Sequence, residues 1–240
     1  WCRVKKKFNK SNMGIEQVPK LAINWVFSSV TKAIILEDDT LPELSFFEFC
    51  RVLLKKYKNK KKISMISGSN LAHEYSDKIK ESYYYSKYSN IWGWATWSDR
   101  WNSYDKKMHN WPLFKKEKLK KICYFKREYL WWKKMFNLTY LQKSKNWDYQ
   151  WTFQNFYKNR WSIVPKNNLI SNFGVSNASG KNAASLFNLK LEKIKFPINH
   201  PSKIILNKNL DKKICSKTYV LPKITHRIKN KLKKLMNISF

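Results

Sequence analysis

The stretch Lys32–Thr40, which reads KAIILEDDT, decides the expected fold, because a short apolar run ends abruptly in three adjacent carboxylates. The apolar residues 34–36 are continuous and mostly β-branched, a pattern that predicts a strand buried on both faces. In an open α/β sheet, ligands bind beyond the carboxyl ends of the strands. The acidic residues 37–39 would lie at such an end, so the stretch predicts an α/β fold and marks a candidate site in it.

The three carboxylates Glu37, Asp38 and Asp39 repel one another unless a cation or a group rich in hydrogen-bond donors compensates their charge. Clustered oxygen ligands suit a hard ion such as Mg²⁺ or Mn²⁺, which proteins usually hold with one or two carboxylates and substrate phosphates. The chain has only 16 acidic residues against 49 basic ones, and three of the acids are adjacent here. The alternative interpretation is an acidic turn on the surface.

The rest of the chain alternates helical and extended patterns, as α/β proteins do. Helical spacing predicts a helix over residues 13–29, and because Pro19 favours the first turn of a helix, that helix begins either at residue 13 or near Pro19. The other expected elements are helices over 42–56 and 147–158, strands over 63–66, 82–86 and 160–165, and helical structure within 99–145.

A tryptophan-rich segment, residues 90–97, reads NIWGWATW. Indole faces stack on the C–H surfaces of sugars, and a glycine lets another group approach the backbone closely. These residues are therefore candidates for substrate binding, although tryptophans in a core would look the same. Together with two residues of the turn 67–70, the substrate-binding candidates are Gly68, Asn70, Trp92, Gly93, Trp94 and Trp97.

Asp148 lies in the first turn of the expected helix 147–158. A carboxylate there is favoured by the helix dipole, so capping alone would explain it. A carboxylate flanked by Trp147 and Trp151 can also be partly desolvated, which raises its pKa towards the range of a general base. Asp148 is the candidate catalytic residue.

The formal net charge of +33 raises the question of nucleic acid as a partner. Lysine far outnumbers arginine and is spread over the whole chain, and no RNA-recognition, zinc-finger or helix-turn-helix signature accompanies the charge. The sequence therefore argues against a nucleic-acid partner. Residues 223–240 predict a basic amphipathic helix, which either contacts an anionic membrane surface or packs on the domain.

The four cysteines, Cys2, Cys50, Cys123 and Cys215, are widely spaced and form no Cys-x-x-Cys pair. This spacing argues against a zinc site or a dense disulfide framework and predicts reduced thiols. No apolar run approaches the ~18 residues of a membrane span. The chain begins at Trp1 rather than Met, which we interpret as the start of a fragment.

Five motifs in this order carry a resemblance to a known family. They are LEDDTLP at 36–42, IWGWATW at 91–97, WDYQW at 147–151, NLISNFG at 168–174 and PINHP at 197–201. Over residues 14–205, the chain resembles the bacterial nucleotide-diphospho-sugar transferases of the GT-A type, close to the family-2-like glycosyltransferases, some of which carry a hemolysin-related label.

The resemblance implies a Rossmann-like GT-A fold and transfer of a sugar from a nucleoside-diphosphate sugar, with Mn²⁺ or Mg²⁺ as cofactor. Asp39 would hold the metal against the diphosphate, and Glu37 or Asp38 would face the ribose or the metal. Asp148 would match the catalytic base of an inverting reaction, and the tryptophan motif would line the donor or acceptor pocket. The acceptor would be a glycan or a lipid-linked hydroxyl in surface polysaccharide or lipopolysaccharide synthesis, in the cytoplasm or at the inner face of the plasma membrane.

The chain also departs from the family pattern. The first βαβ unit of the family would precede residue 1, and residues 179–181 read SGK where a Thr-His-Thr-like turn is expected. His200 is either a substitute for that histidine or, as a lone histidine before a proline, a structural residue, and its position favours the structural role. We expect a partial catalytic domain over 1–205 and a basic tail with an amphipathic helix over 206–240. The alternative function is a truncated, non-catalytic module that binds glycan or a membrane surface.

Overall fold

Short β-branched and aromatic segments form a mixed α/β structure in the computed structural model, which describes residues 2–174 and 189–221. The strands are β1 Lys32–Ile35, β2 Thr40–Pro42, β3 Ile63–Ser67, β4 Tyr83–Ser86, β5 Trp94–Trp97, β6 Trp161–Pro165 and β7 Ile170–Asn172. The α-helices are α1 Val18–Phe27, α2 Ser45–Lys56, α3 Ser98–Trp101, α4 Trp111–Glu117, α5 Leu119–Ile122, α6 Lys126–Tyr140, α7 Asp148–Tyr157 and α8 Lys208–Thr218.

Five of the strands form one sheet in the order β1-β5-β3-β6-β4, and β2 pairs with β7 in a separate two-stranded sheet. β3 and β6 are parallel, whereas β5 runs antiparallel to both β1 and β3. β1, β3 and β6 therefore point in one direction. We call the end at which these three strands finish the carboxyl end of the sheet, and the opposite end the amino end.

The sequence placed most elements correctly. Helix α1 begins at Val18 with Pro19 in its first turn, which agrees with the expected start near Pro19 rather than the one at residue 13. The predicted strands over 63–66, 82–86 and 160–165 and the helix over 147–158 are confirmed within one residue or so at each end. The region 99–145 is mainly helical, as expected, but is divided among α3, α4, α5 and α6.

The prediction that residues 34–36 form a strand buried on both faces is wrong. β1 ends at Ile35, its last three residues are only half-buried, and Leu36 is 40% exposed. The burial is incomplete because β1 is the outermost strand and pairs only with β5 in the described sheet. A run of branched apolar residues predicts a strand, but it does not tell a central strand from one at the edge.

Two further boundaries differ from the prediction. Residues 40–42 are not the start of a helix but pair with residues 170–172, and α2 begins only at Ser45, whose backbone N–H donates to the Glu43 carboxylate at 2.7 Å. Residues 94–97, for which no strand was expected, are the strand β5 between β1 and β3. Their aromatic side chains therefore belong to the centre of the sheet.

Buried aromatic residues dominate the core. One cluster packs α2 against the sheet, and in it the Tyr57 hydroxyl lies 2.6 Å from that of Tyr83 and 2.5 Å from that of Tyr85. A second joins the helices α4 to α8 to strand β4. A third packs Trp94 against rings from α3 and α7. All four cysteines are free, as predicted.

Helix α8 is attached to β4 by a buried carboxylate. Asp211 accepts hydrogen bonds from the Ser86 hydroxyl at 2.5 Å, the Lys87 backbone N–H at 3.2 Å and the Tyr124 hydroxyl at 2.9 Å. The basic amphipathic helix predicted over 223–240 lies outside the described residues. In the part of the chain that is described, no helix has both the length and the apolarity needed to cross a bilayer.

Candidate active site

The acidic turn, residues 37–39, is fixed at the carboxyl end of the sheet by hydrogen bonds on both sides. The backbone N–H and the hydroxyl of Thr40 both donate to the Glu37 carbonyl, at 3.1 and 2.6 Å. The Phe173 N–H donates to the Asp39 carbonyl at 2.9 Å, just beyond the pairing of β2 with β7. The turn is therefore held between β1 and the two-stranded sheet.

Asp39 lies against the backbone of Gly174, because a Cβ atom at Gly174 would overlap its Oδ2 atom. The other carboxylate oxygen, Oδ1, is buried and has no hydrogen-bond partner among the described residues. A buried anionic oxygen without a partner is costly unless a donor or a cation meets it. Asp39 Oδ1 is therefore a candidate for contact with a ligand, and Asp38 is exposed beside it.

Asp148 begins helix α7, and its carboxyl group is partly desolvated. Burial raises the pKa of Asp148 to about 6, although the backbone N–H groups of Asp148 and Tyr149 act in the opposite direction. The preceding residue is fixed as well, since the Tyr104 hydroxyl donates to the Trp147 carbonyl at 3.0 Å. The expected desolvation of this carboxylate beside tryptophan is thus present.

The acidic turn and Asp148, far apart in sequence, lie near each other. The pKa of Glu37 is raised to about 7, first by burial and then by repulsion from Asp39, Asp148 and Asp38. The tryptophan cluster explains the convergence. Ile35, the last residue of β1, pairs with Trp94, whose ring lies 6.2 Å from that of Trp147 beside the start of α7.

Trp94 and Trp97, two of the tryptophans expected to contact substrate, are buried in the core instead. Trp94 is fully buried, and Trp97 is 3% exposed and donates its Nε1–H to the Leu54 carbonyl at 3.1 Å. Both point into the core because β5 is an inner strand. Trp92 is half-buried and packs against two of the core clusters.

Gly68 and Gly93 serve close packing of the backbone. The Gly68 N–H donates to the Gly93 carbonyl at 2.7 Å, and a Cβ atom on either glycine would overlap the side chain of Ile170. Asn70 is fully buried, and its amide oxygen accepts from the Tyr84 hydroxyl at 2.9 Å and the Ala72 N–H at 3.0 Å. We therefore correct the expected substrate contacts of Gly68, Asn70, Gly93, Trp94 and Trp97 to structural roles.

His200 is not part of this site. Its Nδ1 atom lies 3.0 Å from the Tyr83 hydroxyl, and Tyr83 belongs to β4, at the opposite edge of the sheet from β1. Of the two roles open to His200, its contact with Tyr83 therefore supports the structural one, which the sequence favoured. Residues 179–181, where that histidine was expected, lie outside the described part of the chain.

Sequence reasoning missed two residues near Asp148. Repulsion from Asp148 adds to the effect of burial in raising the pKa of Tyr219, and the Tyr219 hydroxyl lies 3.4 Å from Asn90 Oδ1. Asn90 Nδ2 is buried and has no partner in the described residues. Asn90 opens the tryptophan motif and could have been suspected, but nothing in the local sequence connects Tyr219 to this site.

The described residues contain no group of three or more His, Cys, Asp or Glu side chains arranged to hold a metal ion. That part of the chain therefore contains no metal site built from protein side chains alone. The acidic turn fits the sparser type of site, in which one or two carboxylates share a Mg²⁺ or Mn²⁺ ion with substrate phosphates. Asp39, with its unpartnered oxygen, and the exposed Asp38 are the residues that could hold it.

Compared with known proteins, the chain matches no protein-family model, and no curated protein is significantly similar to it.

Proposed function

We propose that this chain is a glycosyltransferase of the GT-A type, which transfers a sugar from a nucleoside diphosphate to an acceptor hydroxyl with inversion. The observation that carries the proposal is the convergence of the acidic turn and Asp148 at the carboxyl end of a mixed sheet. Sugar transfer needs two such groups, one to hold the diphosphate and one to deprotonate the acceptor.

Asp148 is the base in this proposal. With a pKa of about 6, its carboxylate is ionised at neutral pH yet basic enough to accept a proton as the acceptor attacks. The acceptor oxygen forms a bond to the anomeric carbon while its proton passes to Asp148. The bond from that carbon to the diphosphate oxygen breaks, and the nucleoside diphosphate leaves with the bonding electrons.

Asp39 and Asp38 would hold Mn²⁺ or Mg²⁺ in this site, since Asp39 has a buried oxygen without a partner and Asp38 is exposed next to it. When bound, the ion supplies neutralisation of the charge that develops on the departing nucleoside diphosphate. Glu37, whose pKa is raised by burial and by repulsion from these carboxylates, would contact the ribose or the metal. Trp92, which is half-buried, would contact a sugar of the donor or acceptor.

The biological setting in this proposal comes from the resemblance over residues 14–205. The donor is a nucleoside-diphosphate sugar, and the acceptor is a glycan or a lipid-linked hydroxyl in surface polysaccharide or lipopolysaccharide synthesis. The reaction would take place in the cytoplasm or at the inner face of the plasma membrane.

The test incubates the purified chain with UDP-, GDP- and dTDP-hexoses and Mn²⁺ and measures release of the nucleoside diphosphate. Asp39→Ala and Asp148→Asn should each lower the rate by roughly 10²–10⁴-fold. Asp77→Asn is the matched control, because Asp77 is exposed and lies outside the site. Unchanged rates in both site variants would overturn the proposal.

Binding measurements on the same variants distinguish the alternative of a non-catalytic module. Such a module would bind glycan or anionic vesicles without turnover, and its binding would survive both EDTA and the Asp39→Ala substitution. Nucleoside diphosphate release that stops on adding EDTA would instead support the metal-dependent site.

A further inference from the structure

A second concave site, of about 500 Å³, lies at the amino end of the sheet. Five of its 13 lining residues are basic and none is acidic, whereas 49 of the 240 residues in the chain are basic. We call it the basic cavity. Its cationic side chains are Lys87, Lys121, Arg160, Lys208 and Lys212.

The basic cavity is distinct from the candidate active site. It is lined by Trp161, the first residue of β6, which pairs with Ile63, the first residue of β3. The acidic turn lies beyond the other end of these parallel strands. The five residues of β3 alone separate the two ends by roughly 13 Å, at about 3.3 Å per residue.

Four of the five cationic side chains of the basic cavity have no ion-pair partner among the described residues, although the buried Asp211 carboxylate accepts hydrogen bonds from the lining residues Lys87 and Tyr124. Lys87 is buried and paired with Glu128 at 2.7 Å, but no carboxylate lies within ion-pair distance of Lys121, Arg160, Lys208 or Lys212 in the part of the chain that the structure describes. Such a concentration of one sign in a concave surface focuses the field on an incoming anion.

Arg160 is the half-buried arginine of the basic cavity. Its guanidinium donates to the Ser103 hydroxyl at 2.9 Å, and its pKa is lowered first by burial and then by the charge of Arg100. Arg100 itself lies outside the cavity and is paired with Asp99. An anion bound in the cavity would favour the charged form of Arg160, which burial disfavours.

We infer that the basic cavity binds a phosphate-type anion of diphosphate size, with Arg160, Lys121 and Lys212 as its principal contacts. Arginine offers a planar fork that matches phosphate oxygens, and lysine supplies a mobile point charge. The volume falls within the range of ligand pockets. The inference is independent of the proposed sugar transfer, and the anion could be a soluble phosphate or the headgroup of a lipid.

The test measures calorimetric binding of inorganic pyrophosphate to the purified chain at fixed ionic strength with EDTA present, so that no divalent cation bridges the ligand to the acidic turn. The double variant Lys121→Gln/Lys212→Gln should weaken binding about tenfold or more, because it removes two charge-assisted contacts to the anion. Asp39→Ala should leave the affinity unchanged.

Lys116→Gln/Lys134→Gln is the matched control, because it removes the same charge from exposed positions outside the basic cavity. This control should change the affinity less than about twofold. Equal losses in both double variants would overturn the inference, since binding would then reflect net charge alone. Arg160→Lys compared with Arg160→Gln adds a second check, with weaker binding expected for the glutamine.

A parallel arm uses phosphatidylcholine vesicles with and without phosphatidic acid. Binding of the phosphatidic-acid vesicles that the cavity variant abolishes would identify a lipid headgroup as the source of the phosphate, and binding of pyrophosphate alone would identify a soluble one. Absence of binding in both arms would overturn the inference. So would retention on unrelated duplex DNA that neither double variant weakens, in the absence of pyrophosphate binding.

Discussion

At the scale of single residues, Asp148 is subject to two opposing effects. Burial favours its neutral form, whereas the N–H groups at the start of α7 favour the carboxylate, and the pKa settles at about 6. The ordinary value for an aspartate is about 3.9, so the balance leaves a base of useful strength at neutral pH. This environment has a measurable consequence for the pH dependence of the reaction.

For the proposed sugar transfer, we expect kcat/KM to fall as the pH is lowered through about 6, because protonation would remove the carboxylate that the proposal requires as the base. The measurement is a pH profile of nucleoside diphosphate release between roughly pH 5 and 8, with the unfolding midpoint followed over the same range as a control. A rate that stays constant across this range while the fold is intact would contradict the role of Asp148.

Gly93 and Gly14 allow the cost of a positive φ to be compared with and without steric overlap. Gly93 and Gly14 both have positive φ, +56° and +73°, but only Gly93 is enclosed, since a Cβ atom there would lie 2.6 Å from Ile170 Cγ1. Gly14→Ala should cost about 1–2 kcal/mol at most, from the left-handed conformation alone. Gly93→Ala should cost about 1–3 kcal/mol more in the free energy of unfolding, because the methyl group overlaps Ile170.

Urea denaturation of both variants measures this difference. In an Ile170→Ala background, the penalty of Gly93→Ala should shrink, because the atoms that it would overlap are gone. Equal costs for the two glycines in the native background would show that the enclosure of Gly93 is unimportant.

At the scale of elements, a buried ion pair joins α6 to the segment after β4. Lys87 and Glu128 lie 2.7 Å apart, and Glu128 also accepts from the Tyr88 hydroxyl at 2.7 Å and the Tyr124 N–H at 2.5 Å. Glu128→Ala should lower the free energy of unfolding by about 3–5 kcal/mol, because it leaves a buried ammonium and two donors unpaired.

The exposed pair of Glu48 and Arg51 on α2 is the control for this prediction. Glu48→Ala removes a carboxylate from an ion pair that solvent screens, so its effect on chemical denaturation should be much smaller. Similar losses for Glu48→Ala and Glu128→Ala would mean that burial does not decide the contribution of the Lys87–Glu128 pair.

Elements were also the scale at which sequence reasoning worked best. Helical spacing and Pro19 located α1, and the run 63–66 located β3, because both signals are local. Pairing is not local, so the sequence could not show that β1 lies at an edge or that β5 inserts between β1 and β3. That insertion buries Trp94, which a local reading had assigned to a sugar pocket.

The same difference between local and non-local signals applies to the candidate site. The carboxylates of residues 37–39 and Asp148 were recognisable from residue type and position at the ends of elements. Their proximity was expected only through the family resemblance, because it depends on the register of β1 with β5 and on ring packing around Trp94. Tyr219 joins this region through the fold alone and could not be found from the sequence.

For the whole molecule, the net charge of +33 predicts a stability that depends on salt. Like charges lie closer together in the folded chain than in the unfolded one, and salt screens their repulsion with a Debye length of about 10 Å at 0.1 M. The thermal unfolding midpoint should therefore rise as NaCl is added from low to physiological concentration. KCl should act equally, and a midpoint that falls or stays constant would contradict this account.

The packing of Trp94, Trp101, Trp147 and Trp151 has a spectroscopic consequence. The ring of Trp94 lies 5.7–6.2 Å from the other three, and all four side chains are almost fully buried. Indoles this close couple their electronic transitions, so the cluster should dominate near-ultraviolet circular dichroism and emit at short wavelengths. Trp147 immediately precedes Asp148. The emission of the cluster should therefore change when a ligand binds, or when a carboxyl group ionises, at the carboxyl end of the sheet, and it can be followed without a label.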